Sequence, residues 1–506
     1  MPNDDDIVCH SVDGAGRAGH PVWVGSVLAA VVSGGLMAAC YWPANLHFLA
    51  WVALVPWLVR LPALTPRQAL LIGAIVGLVF YRVGLDWLFG INGLLAGGAI
   101  VILSIWMGFS FRVAQMLTAR FGLAAMLWAV PLAFTGQEIL RAEGLDRLRL
   151  AYLALGYSQA HNVWVAQIAS IGGVYGLSFL LADFNAAVAY CVCRRRAAAC
   201  LPAGIIAVVV VSMGAVSQPE SLASGDPIPV ACVQAESDDD DLYLDLTLQA
   251  IRDPSHPVFV VLPEHTIAGF ADLRHPFVAD LARLARRSGS YICVGAHVRA
   301  DPAADCYYDN VAMLIGPEGE VIGTQAKAVP LPFFEDGNPA HSQTTLPTSF
   351  ARVGMYVCFD ADFTDIPRRL EQQGADLLLG PVMNPARWPQ QQRRQQADMA
   401  VFRSIELRRG AVRSASSGIS QIVDAGGRVL AQRSQDDGPG VICDTLYVTG
   451  QRTIFARGGY LFAQLLGIAF LGIIVALTLL EWVGRCSSRR RRLGGNVPAS
   501  SLTSSG

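Results

Sequence analysis

Charge is what this 506-residue chain has least of. Asp, Glu, Lys and Arg make up 15% of its residues, against about 25% in an ordinary soluble protein. The 38 basic and 40 acidic side chains leave a formal net charge of −2. That balance supplies no basic field and argues against nucleic-acid binding. The 11 cysteines include no CxxC pair and no Cys/His ligand cluster, and Cys191 and Cys193 stand too close to form half of a zinc site. No metal, no cofactor and no disulfide framework are expected. Apolar residues fill the space left by charge. They make up 53% of the chain, and the mean hydropathy is +0.40.

The apolar residues are gathered into runs at about 21–40, 44–61, 69–89, 94–117, 121–141, 164–192 and 200–217, with an eighth at 460–483. Most approach the roughly 20 residues needed to cross a bilayer. The run at 44–61 is short and contains Pro56. The leader, MPNDDD, is acidic and has Arg17 as its one strong base, so a retained first helix is expected rather than a cleaved signal. Arginines mark the cytoplasmic side. They fall at Arg194 to Arg196 between the sixth and seventh runs, at Arg485 and Arg489 to Arg492 after the eighth, and at Arg60, Arg67 and Arg120. Arg147 and Arg149 break the pattern. An even number of spans places both termini inside and the intervening segment on the other face.

That segment has a different texture. Short β-branched runs such as 229–235, 258–264, 291–296, 311–316, 352–358, 375–381 and 418–425 are bounded by Gly, Pro or Asp, as buried strands are. Helical stretches at 277–289 and 395–410 lie between them, and GPEGEVIG (316–323) reads as a hairpin. The expected organisation is an N-terminal tail (1–20), a membrane domain of about seven helices (21–217), an α/β domain (218–458), a last span (459–484) and a basic tail (485–506).

Three apolar runs in the α/β segment end on a reactive side chain: Glu264 after VFVVLP, Lys327 after EVIGTQA and Cys358 after RVGMYV. A polar group at the carboxyl end of a buried strand projects into the crevice where such sheets bind ligands. Singly each has an ordinary reading, as a turn acid, a solvated lysine and a core thiol. Together, in this order, they resemble the catalytic set of the nitrilase (carbon–nitrogen hydrolase) superfamily, as do the strings LPEHT, KAVPLPFFE and VCFD around them. The strings GQEILR (136–141), LGYSQ (155–159), QIASIGGVYGLSFL (167–180), VFRSIELRRGAVRSASSGIS (401–420) and GQRTIFARGGY (450–460) are similar to the apolipoprotein N-acyltransferase family.

The resemblance implies a multi-pass α-helical membrane domain joined to a nitrilase-like αββα sandwich. It implies Glu264 as general base, Lys327 as oxyanion partner and Cys358 as nucleophile. Glu335 becomes a second glutamate of the site, with Phe359 and Asp360 as accessory residues. The implied partners are a phospholipid acyl donor, a diacylglyceryl-prolipoprotein acceptor and the bacterial inner membrane, with the catalytic domain periplasmic and the protein a monomer. Several positions depart from the family pattern. Leu262 stands where Trp is usual, His265 follows Glu264, Phe359-Asp360 replaces Tyr-Glu, an acidic run occupies 233–244, and 383–388 reads MNPARW. A divergent acceptor, a membrane-anchored amidase or hydrolase, and a degenerate scaffold are the alternatives.

Overall fold

The computed structural model describes residues 19–41, 43–144, 149–216, 225–271 and 274–494. The acidic leader, Arg17, Arg147 and residues 217–224 at the expected domain boundary lie outside them. Among the described residues six helices are long and apolar enough to cross a membrane. They are contained in or built on α3 (Pro66–Gly84), α4 (Gly93–Phe121), α5 (Met126–Glu143), α7 (Ala169–Arg194), α8 (Leu201–Val216) and α13 (Leu461–Gly494). Helix α1 (Gly19–Ala39) adds a shorter apolar stretch over Trp23–Ala39. Local sequence sets the starts. Thr65 and Gln68 form a capping box around Pro66, and the Asn92 side chain accepts from the N–H groups of Leu94 and Leu95. Helices α3 and α4 pack closely because Gly108 has no side chain; a Cβ there would lie 2.4 Å from the carbonyl oxygen of Leu70. Leu201, Ile205, Val208 and Val211 on α8 and Leu465, Ile468 and Leu479 on α13 are exposed, an outer surface suited to lipid.

The run at 44–61 is not a continuous helix, contrary to expectation. It breaks into 3₁₀ turns at His47–Trp51 and Leu61–Ala63 around the single turn α2 (Val55–Leu58). Pro56 and Pro62 lack the N–H that a longer helix needs. The freed backbone groups are satisfied by side chains instead. Asn185 accepts from the N–H of Leu54 at 2.8 Å and donates to the carbonyl of Ala50 at 2.8 Å, and Ser33 accepts from Trp57 N–H at 3.2 Å. A second correction concerns the cysteines: Cys191 and Cys200 are disulfide-bonded. Arg195, in the left-handed region at φ 51°, ends α7 and folds the chain back so that these two residues meet. Several of the charges that interrupt the apolar runs have partners. Arg82 contacts Asp86, Arg112 contacts Glu481, and Glu138 accepts from the N–H of Leu155 at 2.8 Å.

The second half is a sandwich of two sheets. The strands are β1 (Pro227–Gln234), β2 (Phe259–Val261), β3 (Ile267–Phe270), β4 (Tyr291–Arg299), β5 (Tyr308–Ile315), β6 (Val321–Ala326), β7 (Thr345–Pro347), β8 (Arg352–Met355), β9 (Leu377–Val382), β10 (Gly410–Ala415), β11 (Ile419–Val423), β12 (Val429–Ser434) and β13 (Gly440–Tyr447). One sheet has the order β13-β1-β2-β4-β5-β6, with β3 also on β4, and the other β12-β11-β10-β9-β8-β7. Val230, Phe259, Val261 and Leu314 of the first sheet share a buried core with Val353, Met355, Leu379 and Val412 of the second. Helices α9 (Asp240–Ile251) and α10 (Pro276–Ser288) cover the first sheet, and α12 (Gln390–Leu407) lies on the second. This is the αββα layering expected of a nitrilase-like domain.

The outer face of α12 has no solvent side. Val401, Phe402 and Ile405 belong to the same core as Tyr157, Val174 and Leu177 of the membrane half. At the centre of this junction α7 kinks at Gly173 (φ 69°), and Glu406 Oε1 accepts from the N–H of Val174, 2.8 Å away, where the helix restarts. A carboxylate is favoured at a helix N-terminus. Glycine is required at 173, since a Cβ would lie 2.6 Å from the Phe455 ring. Arg403 pairs with Glu406 at 3.2 Å and donates to the Tyr157 hydroxyl at 3.0 Å. The strings LGYSQ, GGVYGLSF, FRSIEL and the residues before α13 are thus one docking device. Glu406→Ala removes the partner of a buried guanidinium and of a helix-end N–H, and is expected to cost about 3–5 kcal/mol, read as a drop in the thermal unfolding midpoint of the detergent-solubilised protein.

Candidate active site

Glu264, Lys327 and Cys358 all leave the ends of strands. Glu264 follows β2, which runs parallel to β1 and β4. Lys327 follows β6, and Cys358 lies three residues beyond β8, which runs parallel to β9. All three are buried, Lys327 with 0% exposure. Lys327 Nζ lies 2.8 Å from Glu264 Oε1 and 2.7 Å from Asp336 Oδ2. Asn310 Nδ2 donates to Glu264 Oε1 at 2.7 Å and to Asp336 Oδ1 at 2.9 Å. Met383, just past β9, bridges the acid and the thiol: its N–H donates to Glu264 Oε2 at 2.8 Å, and its carbonyl accepts from Cys358 Sγ at 3.6 Å.

Burial alone pushes the Glu264 carboxyl up, but the adjacent Lys327 ammonium, helped by His265, overrides it and holds Glu264 well below its usual range. For Lys327 burial works downward, and Glu264, Cys358 and Asp336 outweigh it, so the ammonium is held well above its usual value. Burial pushes the Cys358 thiol up, reinforced by the negative charge of Glu264 and only partly countered by Lys327. At rest the pocket therefore holds a carboxylate, an ammonium and an uncharged thiol. Such a set supports nucleophilic acyl chemistry when a base takes the thiol proton as the sulfur attacks. Cys358 sits at φ 47° on a 3₁₀ turn spanning Cys358–Asp362, a tight bend that carries its side chain out of the strand direction.

The accessory residues divide. Asp360 is buried and ties two segments together. Its carboxylate accepts from the N–H groups of Ala328 (3.0 Å) and Val329 (2.8 Å) beyond Lys327, and from Val357 N–H (3.1 Å) before Cys358. Burial raises its pKa to about 7 in spite of these donors. Asp360→Ala removes the acceptor of three backbone donors, one buried and two half-buried, and is expected to lower stability by on the order of 3 kcal/mol, with a loss of activity measured alongside the unfolding midpoint. Phe359 is buried and packs edge-on against Phe363, with ring centroids 4.9 Å apart. Glu335 is exposed. Its carbonyl accepts from the Tyr308 hydroxyl, and the acid that reaches Lys327 is its neighbour Asp336.

Asn310, Asp336 and the Met383 peptide were missed by reading strand ends. A signal for Asn310 was present. The hairpin register pairs Val311 with Ala326, which sets Asn310 opposite Lys327; the N–H of Lys327 indeed donates to the Asn310 carbonyl at 2.8 Å. His297 faces Asn310 from β4. Glu264, His265 and Asp336 also offer ligand atoms within 4.8 Å of one another. Both carboxylates already contact Lys327, whose charge opposes a metal cation.

The pocket borders the membrane half. Gln396 Nε2 lies 3.9 Å from Cys358 Sγ, Gln392 donates to the Tyr152 hydroxyl at 3.2 Å, and Gln395 accepts from Trp87 Nε1 at 3.0 Å. The loop after Lys327 packs Val329 and Leu331 against the membrane-domain core and exposes Phe333 and Phe334. Trp388 stands beside Phe334, ring centroids 6.3 Å apart.

Comparison with known proteins bears on both halves. Residues 33–187 match the family model of the apolipoprotein N-acyltransferase N-terminal domain, and residues 229–449 that of the carbon–nitrogen hydrolases. A Geobacter metallireducens protein named apolipoprotein N-acyltransferase is 27% identical over 455 residues, covering 79% of this chain and 86% of its own. A Pseudomonas putida protein of the same name is 25% identical over 469 residues, covering 82% and 90%. Among solved structures, a Helicobacter pylori carbon–nitrogen hydrolase superposes at 16% identity with a TM-score of 0.39, covering 48% of this chain and 94% of its own. With both domains matched in order, the chain belongs to the apolipoprotein N-acyltransferase family of the nitrilase superfamily.

Proposed function

We propose that this protein is an inner-membrane N-acyltransferase that carries a fatty acyl group on Cys358 from a phospholipid to the α-amino group of a diacylglyceryl-cysteine. The observation that carries the reading is the buried contact of Lys327 with Glu264, bridged through Met383 to the Cys358 thiol beside the membrane domain.

In the first half-reaction Cys358 Sγ attacks the acyl ester carbonyl. Glu264 takes the thiol proton and passes it to the oxygen of the leaving lysophospholipid. An ammonium has three donors; Lys327 contacts Glu264 and Asp336, leaving one for the oxyanion. In the second half-reaction the acceptor nitrogen attacks the thioester, and Glu264 returns a proton to sulfur. Both substrates are lipids, and exposing a buried CH₂ to water costs about 0.8 kcal/mol. A site against the membrane half, with the aromatic side chains of Phe333, Phe334 and Trp388 on the loops that follow Lys327 and Met383, spares most of that cost.

The domain limits in this reading are those expected from the sequence, with residues 218–458 facing the periplasm. Arg194 ends α7, Arg195 and Arg196 follow it, and Arg485 and Arg489 to Arg492 lie late in α13, so both flanks of the α8–sheet–α13 passage carry their arginines on the far side from the sandwich. The Cys191–Cys200 bridge pulls the other way, because disulfides are scarce in the cytosol. Four arginines in a row at Arg489–Arg492, independent of that turn, outweigh it.

The purified protein mixed with phospholipid should show an acyl thioester on Cys358 by mass spectrometry, and then triacylated product on addition of a diacylated lipopeptide. Free fatty acid without triacylated product would instead establish a hydrolase.

A further inference from the structure

His265 occupies a place the reaction above leaves unfilled. The net transfer is an ester plus an ammonium giving an amide, an alcohol and one proton. In the first half-reaction the proton account closes, since the thiol hydrogen ends on the lysophospholipid hydroxyl. In the second the acceptor arrives as R–NH₃⁺ and must shed two protons to become an amide nitrogen with a single hydrogen. One returns to the Cys358 sulfur. The other has to reach water, and neither Glu264 nor Lys327 touches it: each side chain is 1% exposed.

The His265 side chain is 29% exposed, and its Nε2 lies 3.7 Å from Glu264 Oε1 and 3.9 Å from Asp336 Oδ1. On its other side Nδ1 lies 2.6 Å from His297 Nε2. His297 stacks on Tyr308 with ring centroids 4.2 Å apart. The titratable and charged groups around His265 are thus Glu264 and Asp336 on one edge, His297 on the other, and Lys327 and Tyr308 behind them. Burial and the neighbouring His265 lower His297 to about 4, so it stays neutral. In the tautomer whose Nδ1–H donates to His297, Nε2 of His265 is the atom that can take a proton on the carboxylate side.

We propose that His265, oriented by His297, is the proton exit of the second half-reaction: it takes from Glu264 the extra proton shed by the acceptor ammonium and releases it to water. His265 acts through Glu264 and is a positioning and relay residue. The inference rests on the acyl-transfer reading above.

The test uses the full-length protein in detergent with a phospholipid donor and a diacylglyceryl-cysteine peptide, and times thioester formation and thioester aminolysis separately. The variant is His265→Asn, since residue 265 sits at φ 56° and asparagine tolerates that region. Aminolysis is expected to slow by roughly 100-fold, the lower range for a lost proton-transfer group, with thioester formation much less affected. Added imidazole should restore aminolysis, and the pH profile of that step alone should change. His297→Phe, which keeps the stack on Tyr308, should slow the same step to a smaller degree and serves if the asparagine variant does not fold. Equal slowing of both steps, or a folded variant that imidazole does not rescue, overturns the proposal. Absence of any thioester in the parent protein would overturn the acyl-transfer reading instead.

Discussion

Cys358→Ala is expected to abolish acyl transfer and leave the fold close to parental stability. The thiol is 4% exposed, and its hydrogen-bond neighbours are the Met383 carbonyl at 3.6 Å and Gln396 at 3.9 Å. Both are long contacts whose loss costs little. Replacing one sulfur by a void of its size should cost about 1 kcal/mol, and the left-handed backbone at this residue is no harder for alanine than for cysteine. In the proposed mechanism no other group carries the acyl chain, so the rate should fall on the order of 10⁵-fold or more, the scale seen when an enzyme loses its nucleophile. Mass spectrometry should find no acylated enzyme. Full complementation by this variant in cells would remove catalysis from the account and leave the scaffold alternative.

Lys327→Met should be damaging in two separate ways. Its ammonium lies between two buried carboxylates, and an apolar replacement leaves both without a cation, a loss of about 3–5 kcal/mol. In the proposed mechanism it also removes the oxyanion donor, a further roughly 100- to 1000-fold in rate. The two effects separate by pH. In the parent, Glu264 is held below its ordinary value of 4.5, so its contribution is complete above that pH and is lost as pH falls through the depressed value. Lys327 is held above 10.5, so its contribution is complete below that pH and fades as pH climbs through the raised value. In the variant the ammonium is gone, and burial drives the Glu264 carboxyl upward. Acidification then neutralises it and relieves that part of the penalty. The difference in unfolding midpoint between parent and variant should narrow as pH is lowered from 7 toward 5, while the catalytic deficit persists.

Strand ends were legible because they depend on short-range pattern. Apolar runs stopping at Glu264, Lys327 and Cys358 fall within three residues of where β2, β6 and β8 finish, and the family strings order them. Asp336 was not legible. It lies in an irregular stretch beside Glu335, and which of two adjacent acids turns inward is decided by the fold of the loop, where Leu331 N–H donates to Asp336 Oδ2 at 2.7 Å. The helix expected over 395–410 ends at Leu407, because Arg408 takes the left-handed region and Gly410 opens β10. A pattern sum over that window does not see a single dihedral. The run at 44–61 misled in the opposite sense. Its hydropathy is that of a span, and the partners that let it fold as turns, Ser33 and Asn185, come from distant positions in the chain. The acidic stretch at 233–244 read as a departure from the family pattern. In the structure Glu236 accepts from the N–H of Ala386 at 2.7 Å, so the two altered regions hold each other.

The kink at Gly173 bears on how this protein can be taken apart. A fragment holding the sandwich alone would bare Phe402 and Ile405 to water and leave Arg403 and Glu406 with half their company. The α/β half is therefore no detachable cargo slung beneath an anchor. The bilayer-borne helices serve as its missing outer wall, and a soluble version would need that wall rebuilt in polar residues before it could stand.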